Sequence, residues 1–415
     1  MKFRFNIDDK PSRGALLLYG LQWLMICIPV VLTSTFIVPP GEKVFFTQKL
    51  FAICGLTIAT QVLFGHRLPL VAGPAAVLLV MVANSQDVPA ETIYPSMIIG
   101  GVLVSLLAAA GAMKHIQKIF TPRIVAAIVI LVSFTIAKPI VELIFADKAH
   151  AGLALVMTIV GLIAMAWANK VLKGIWKSTV VIAAMIFGSL LYYAITGFPT
   201  TLEQDTATQG FFISGIKLDA GVVIAFIFCY IALIINQVGS VQSLGNMVEA
   251  PNMAQRQKRG LFITGVMNMV SGATGVLGPV DYSLSPGVVA STSCASRYTM
   301  LPAAMAMVVL ALFPDAVSVL LATPDAIMGI VLLFLMATQV AAGFEIIHSS
   351  KAVLTFKDGL ILGVPIMLTT ILSFAPAEAM TSVPSLLRPI VSNGFVMGVI
   401  MIIILEHIVL KEKKK

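Results

Sequence analysis

Long apolar runs separated by short polar ones fill the chain, and most runs approach the length a helix needs to cross a bilayer. A span takes about 20 mostly apolar residues, with about 17 to 25 tolerated. That rule places candidate spans near 14–38, 46–64, 69–84, 95–113, 124–145, 151–169, 176–197, 219–243, 260–278, 283–296, 299–321, 325–347, 358–375 and 392–410. The pattern predicts an all-α polytopic membrane protein of about 14 transmembrane segments. No polar block between them is long enough to fold separately, so one integral-membrane domain over 1–415 is expected.

The third and tenth segments are short and interrupted, by Gly73-Pro74 in LPLVAGPAAVLL and by Pro286-Gly287 in YSLSPGVVAST. They are the third members of two successive sets of seven. Broken segments at corresponding positions point to a 7+7 inverted repeat with a solute site between them. Irregular backbone at membrane depth is tolerated only where it is buried in protein or lines a cavity. Each break is expected to present a half-helix N-terminus, with free N–H groups and the positive end of the dipole. Gly-Pro pairs also kink packed helices; their recurrence at matching positions favours the site.

Composition supports the membrane class: 59% of the 415 residues are hydrophobic and 11% charged, outside the range of a soluble domain of this size. The formal net charge of +8 follows from topology. Arg67, Lys114, Lys118, Arg123, Lys170, Lys173, Lys177, Arg256, Lys258, Arg259, Arg297, Lys351, Lys357 and both termini collect on one side. Asp87, Glu91, Asp147, Glu203, Asp205, Asp315, Asp325 and Glu378 fall on the other. By the positive-inside rule both termini are cytoplasmic, in a bacterial-type inner membrane. The first span is expected to be retained, since no small-residue cleavage site follows it. No clustered basic surface remains for nucleic acid.

Cys27, Cys54, Cys229 and Cys294 lie in apolar runs without CxxC spacing, so packing is expected and neither a disulfide framework nor a metal site is indicated. No nucleophile–base pairing, HExxH or GxxxxGK[ST] is present. An enzyme and a bound cofactor are therefore not expected.

Candidate solute contacts come from polar residues at depth. Asn236 and Ser240 are four apart and share a helix face, with Gln237 and Gln242 expected to face away; interhelical hydrogen bonding is the competing role. Asp281 is the one carboxylate in the stretch 278–298. It is either the proton-coupling group or a solvated residue at the extracellular end of its loop. If that segment is extended, Asp281, Ser283 and Ser285 point one way and Tyr282 and Leu284 the other. Lys138 and Glu142, also four apart, are expected to neutralise each other. Glu345 with His348 and Glu406 with His407 are expected at the cytoplasmic interface.

The run SPGVVASTSCASRY, with Gly287, Thr292, Ala295, Ser296, Arg297 and Tyr298, resembles the signature of the nucleobase/ascorbate transporter family, the uracil, xanthine and urate permeases. NQVGSVQSLGNM at 236–247 is similar to that family's eighth span, the stretch 259–278 to its ninth and 324–347 to its twelfth. LQW at 21–23 stands where the family has a Gln-His pair. The resemblance implies a core of roughly 14–113 and 219–321 moving against a gate of roughly 124–197 and 325–410, often as a homodimer. It implies proton symport and a solute held between the broken spans, facing the eighth.

The chain departs from the family at Asn236, where an acid is usual, at Ser240, where His or Asp is usual, and at Leu284, Ser285 and Trp23. Ala75, Ala76 and Val77 replace a ring-stacking or polar residue. The expected solute contacts are backbone N–H groups near Ala75 and Ser285, with Ala76, Leu284, Ser283, Ser285, Gly287, Asn236, Ser240, Tyr282 and Gln22. The leading expectation is a nucleobase-like solute of the uracil, xanthine or urate class. The alternatives are a small organic or inorganic anion on the same fold, since helix N-termini favour anions, and a receptor or scaffold that does not transport. With the sequence ending at KEKKK, the cytoplasmic regulatory domain that sulfate permeases of this fold usually carry is not expected here.

Overall fold

The structure, a computed structural model, describes all residues except 1–2, 86, 112–120, 174, 200, 206–209, 283, 381, 385–386 and 411–415. Ser283, Lys114, Lys118 and the terminal lysines therefore lie outside the described residues. Eight described helices are long and apolar enough to cross a membrane, or nine if one pair bent by 99° forms a single span.

In chain order the principal elements are α1 (Arg13–Leu32), α2 (Lys43–Leu63), β1 (Ala72–Pro74), α3 (Ala76–Ala83), α4 (Ala90–Ala109), α5 (Pro122–Thr135), α6 (Ala137–Ile144), α7 (Ala151–Val171) and α8 (Val180–Thr196). They continue with α9 (Ala220–Met247), α10 (Met253–Ala273), β2 (Pro279–Asp281), α11 (Ser285–Thr292), α12 (Met300–Leu310), α13 (Pro314–Leu321), α14 (Asp325–Ser350), α15 (Phe356–Ser373) and α16 (Gly394–Ile404). Several of the expected segments are too short or too polar to span by length alone. The helices α3 and α11 have 8 residues each, and α10 begins with the polar run MAQRQKR.

Local chemistry sets the helix starts. Ser12, Thr121, Asp219 and Asn393 accept hydrogen bonds from main-chain N–H groups in the first turns of α1, α5, α9 and α16. Thr355 and Asp358 form a reciprocal capping box on α15. Such bonds satisfy donors that a helix cannot pair internally.

The helices α1, α2, α9 and α10 pack against the two strands, with α4 on α10 and α9 and with α12 on α2 and α1, while α5, α6, α14, α15 and α16 pack chiefly on one another. The tightest seam joins α4 to α10. A Cβ on Gly101 would stand 2.7 Å from the Gly265 carbonyl oxygen, and one on Gly265 equally close to that of Gly101. Small residues thus let the two backbones touch, as in other membrane helix pairs.

The N-terminal segment is stitched to the stretch that follows α11. The N–H of Arg4 donates to Ser293 O at 2.8 Å, Ala295 N–H to Phe5 O at 2.9 Å and Arg297 N–H to Ile7 O at 3.0 Å. Arg297 also pairs with Asp8 at 2.7 Å and donates to Val62 O at 2.6 Å. At the opposite end Asp205 accepts from the N–H groups of Val44 and Phe45, and Lys217 pairs with Glu91 at 2.6 Å.

Candidate functional site

Both chain breaks fold into short strands that meet each other. Ala72 lies opposite Asp281, Gly73 opposite Val280 and Pro74 opposite Pro279, antiparallel. Ala75 N–H donates to Gly278 O and Tyr282 N–H to Val71 O, each at 2.8 Å, extending the ladder at both ends. The helices α3 and α11 start directly beyond the crossing. Buried backbone must find partners, and each broken segment supplies them to the other.

Tyr282 and Ser285 fasten the crossing. The Tyr282 hydroxyl donates to Pro74 O at 2.5 Å, and its ring lies against Gly73, where a Cβ would stand 3.0 Å from ring carbon Cε2. Ser285 Oγ accepts from Val71 N–H at 3.0 Å and donates to Tyr282 O at 3.1 Å.

The two half-helix starts differ, which corrects the expectation of equivalent termini. On α3, the N–H groups of Ala76 and Val77 have no partner among the described residues. On α11, Ser285 N–H turns back to Tyr282 O at 3.4 Å and Gly287 N–H to Leu284 O at 3.1 Å, while Pro286 has no N–H to offer. Ala75 is fully buried and Ala76 half-buried. Leu284 is half-buried and Gly287 exposed.

Asp281 lies inside the protein at 1% exposure, so it is not a solvated loop residue. Gln237 on α9 grips it twice: Asp281 N–H donates to Gln237 Oε1 at 2.8 Å, and the Gln237 amide donates to Asp281 Oδ2. Gln237 therefore faces the crossing, contrary to the expectation that it turns away. Gln242 is half-buried and bonds Asn246 and Gln257.

His66, which follows α2, completes the cluster. Its Nε2 lies 3.0 Å from Asp281 Oδ2, with both side chains essentially inaccessible to solvent. The approach is off the direction of a ring N–H bond, so the contact is electrostatic. Nδ1 accepts from Leu68 N–H at 3.0 Å, and an imidazole accepting there carries its proton on Nε2. Arg256 holds the loop by donating to the carbonyls of His66 and Arg67, each at 2.9 Å. Asp281 Oδ1 is buried with no hydrogen-bond partner among the described residues.

On α9, Ser240 is buried, its Oγ without a hydrogen-bond partner among the described residues, and Asn236 is half-buried one turn earlier. Gln22 is buried on α1. Its neighbour Trp23 donates from Nε1 to Thr299 Oγ1 at 3.1 Å, bracing the segment after α11. No ion pair joins Lys138 to Glu142, so that expected neutralisation does not form. Glu406 pairs with Arg123 at 3.1 Å. All four cysteines are free and buried.

His66 and Gln237 are the cluster members that sequence reasoning missed. A signal was present for His66: the chain holds only 5 histidines, and this one directly precedes the first break.

A family model described as the Permease family matches residues 14–378. The chain belongs to this family. Over 96% of this permease and 97% of the relative, it is 22% identical to the "Putative purine permease YwdJ" of Bacillus subtilis. It is 19% identical to the "Xanthine permease" of the same organism, over 93% of this chain and 91% of that protein. Its fold is similar to the transmembrane domain of the cyanobacterial bicarbonate transporter BicA, with a TM-score of 0.64 and 14% identity over 88% of this chain and 98% of that one. The permease is thus a multi-pass membrane transport protein and not an enzyme.

Proposed function

We propose that this permease is a secondary transporter that holds a small polar solute at the strand crossing. The single observation that carries this is the buried cluster of Asp281, Gln237 and His66 at one end of the strand ladder, with the unpartnered Ala76 and Val77 amides beyond its other end. Buried polar groups without partners are costly, and a solute offering both donors and acceptors would satisfy them. A nucleobase-like ring of the uracil, xanthine or urate class has such an edge. Its N–H groups suit Asp281 Oδ1 and Ser240 Oγ, and its carbonyls suit the α3 amides. Asn236, Gln22, Leu284, Ser285, Gly287 and Tyr282 would then form the surroundings, with Tyr282 and Ser285 acting through the crossing that they fasten.

In this scheme Asp281 carries the coupling proton, and His66 and Gln237 hold it in place. The two strand and half-helix units act as halves of an inverted repeat. The group of α1–α4 and α9–α13 is the moving core, and α5–α8 with α14–α16 is the gate. Both termini lie in the cytoplasm at the inner membrane, and the unit assembles as a homodimer.

A specific observation favours a second solute class. The free amides at the start of α3 sit at the positive end of its dipole and suit an anion, and the fold is that of a bicarbonate transporter. A thermal-shift screen of purified protein against uracil, xanthine, urate, bicarbonate and sulfate at two pH values separates the two, because a specific ligand stabilises the folded state by mass action. Stabilisation by uracil or xanthine supports the nucleobase class, and stabilisation by anions alone replaces it. Absence of counterflow in proteoliposomes for every stabilising ligand would leave a receptor.

A further inference from the structure

A cavity lies away from the strand crossing, at the end of the molecule where the acidic loops gather. It encloses about 480 Å³ between α2, the exit of α3, the start of α4 and the residues that follow α10. Phe46 and Tyr94 contribute its aromatic wall, and Glu42, Lys49, Glu91 and Thr274 its polar groups.

Lys49 is the anomaly. Its side chain is only 6% exposed, within the second turn of a membrane-spanning helix, where an unpaired charge is costly. Nζ donates to Thr274 O at 2.8 Å and lies 4.9 Å from the centre of the Phe45 ring. One of its three donors is thus used, in capping the end of α10.

No described carboxylate forms an ion pair with Lys49, and two of its acidic neighbours are engaged elsewhere. Glu91 pairs with Lys217 at 2.6 Å. Asp205 accepts from the N–H groups of Val44 and Phe45 at the start of α2. Glu42 lines the same cavity but stays beyond ion-pair distance of Nζ. A buried ammonium with donors to spare faces a cavity with aromatic walls, and Asp205 and Glu42 act on it only from beyond ion-pair distance.

We propose that this cavity is a binding site for a small organic anion, a carboxylate or the conjugate base of an acidic heterocycle, whose charged group pairs with Lys49. Glu42 limits the affinity by like-charge repulsion, so the site suits reversible occupancy. It is independent of whichever solute the strand crossing takes. The anion is either a solute in transit or a separate ligand that stays outside.

Isothermal titration of the purified full-length protein with benzoate and its neutral isostere benzamide tests the charge requirement. Benzoate is expected to bind at least about tenfold more tightly than benzamide, as a charge-assisted hydrogen bond should give. Lys49→Met should erase that preference and Lys49→Arg should retain it. Glu42→Gln, which keeps Lys49, should strengthen benzoate binding severalfold, so the test holds even if Lys49→Met fails to fold. Equal binding of the two ligands to the wild type, or no gain in Glu42→Gln, overturns the proposal.

Asp281→Asn separates this site from the central one. Benzoate binding that persists there places the anion in the outer cavity, whereas its loss would move the anion to the crossing and overturn the proposal. Benzoate counterflow in proteoliposomes then identifies a solute in transit, and binding without counterflow a separate ligand.

Discussion

Asp281 and Gln237 are joined reciprocally, main-chain N–H to side-chain oxygen at 2.8 Å and side-chain amide back to carboxylate. The pair ties β2 to the middle of α9, and with them the broken segment to the helix that faces it. Gln237→Ala strips both bonds and leaves buried groups unsatisfied, at a cost of about 1–3 kcal/mol. Thermal unfolding of the detergent-solubilised protein should show a lowered Tm, with Gln237→Glu restoring it only when the new carboxyl is protonated.

Asp281→Asn keeps the shape of the cluster and removes the titrating group. Uptake driven by a pH gradient should be lost while solute counterflow at equal pH continues. Gradient-driven accumulation by Asp281→Asn at the wild-type level would remove Asp281 from the coupling mechanism.

Gly73 leaves no room for a side chain: a Cβ would stand 2.6 Å from Val30 Cγ1 and 3.0 Å from the Tyr282 ring. Gly73→Ala should destabilise by about 1–3 kcal/mol through overpacking. Tyr282→Phe, which loses only the bond to Pro74 O, should cost about 1 kcal/mol. The order of the two melting temperatures, with Gly73→Ala the lower, checks the packing.

Arg4, Phe5 and Ile7 contribute main-chain groups to the bonds that hold the stretch after α11. Deleting residues 1–9 removes them together with the Asp8–Arg297 pair. At about 0.5–1.5 kcal/mol for each hydrogen bond, the truncated protein should melt several degrees lower. Protease cleavage near 293–298 should also accelerate.

Asp147, in the loop after α6, accepts hydrogen bonds from His150 and Tyr192 that hold its carboxyl below the usual carboxylate range. A carboxylate with a lowered folded-state value stabilises the fold above its unfolded value, and that contribution is lost as pH falls through the lowered one. The Tm gap between wild type and Asp147→Asn should therefore be small but present at neutral pH and close as the solution is acidified into that range.

The sequence by itself determined the class and the two places where helices cannot run through. Apolar length is a property of each segment alone, and so are the Gly-Pro and Pro-Gly interruptions that became β1 with α3 and β2 with α11. The signature from Gly287 to Tyr298 was readable because local backbone chemistry is written in consecutive residues. The tertiary structure decided which side chains meet. Spacing showed that Asn236 and Ser240 share one face of α9, but not that Gln237 meets Asp281, because that depends on how β2 docks against the helix. His66 and Lys49 acquired their meaning in the same way, one from a carboxylate far along the chain and the other from carboxylates that stop short of ion-pair distance. Burial and partnership are relations between distant segments, and only the packed structure contains them.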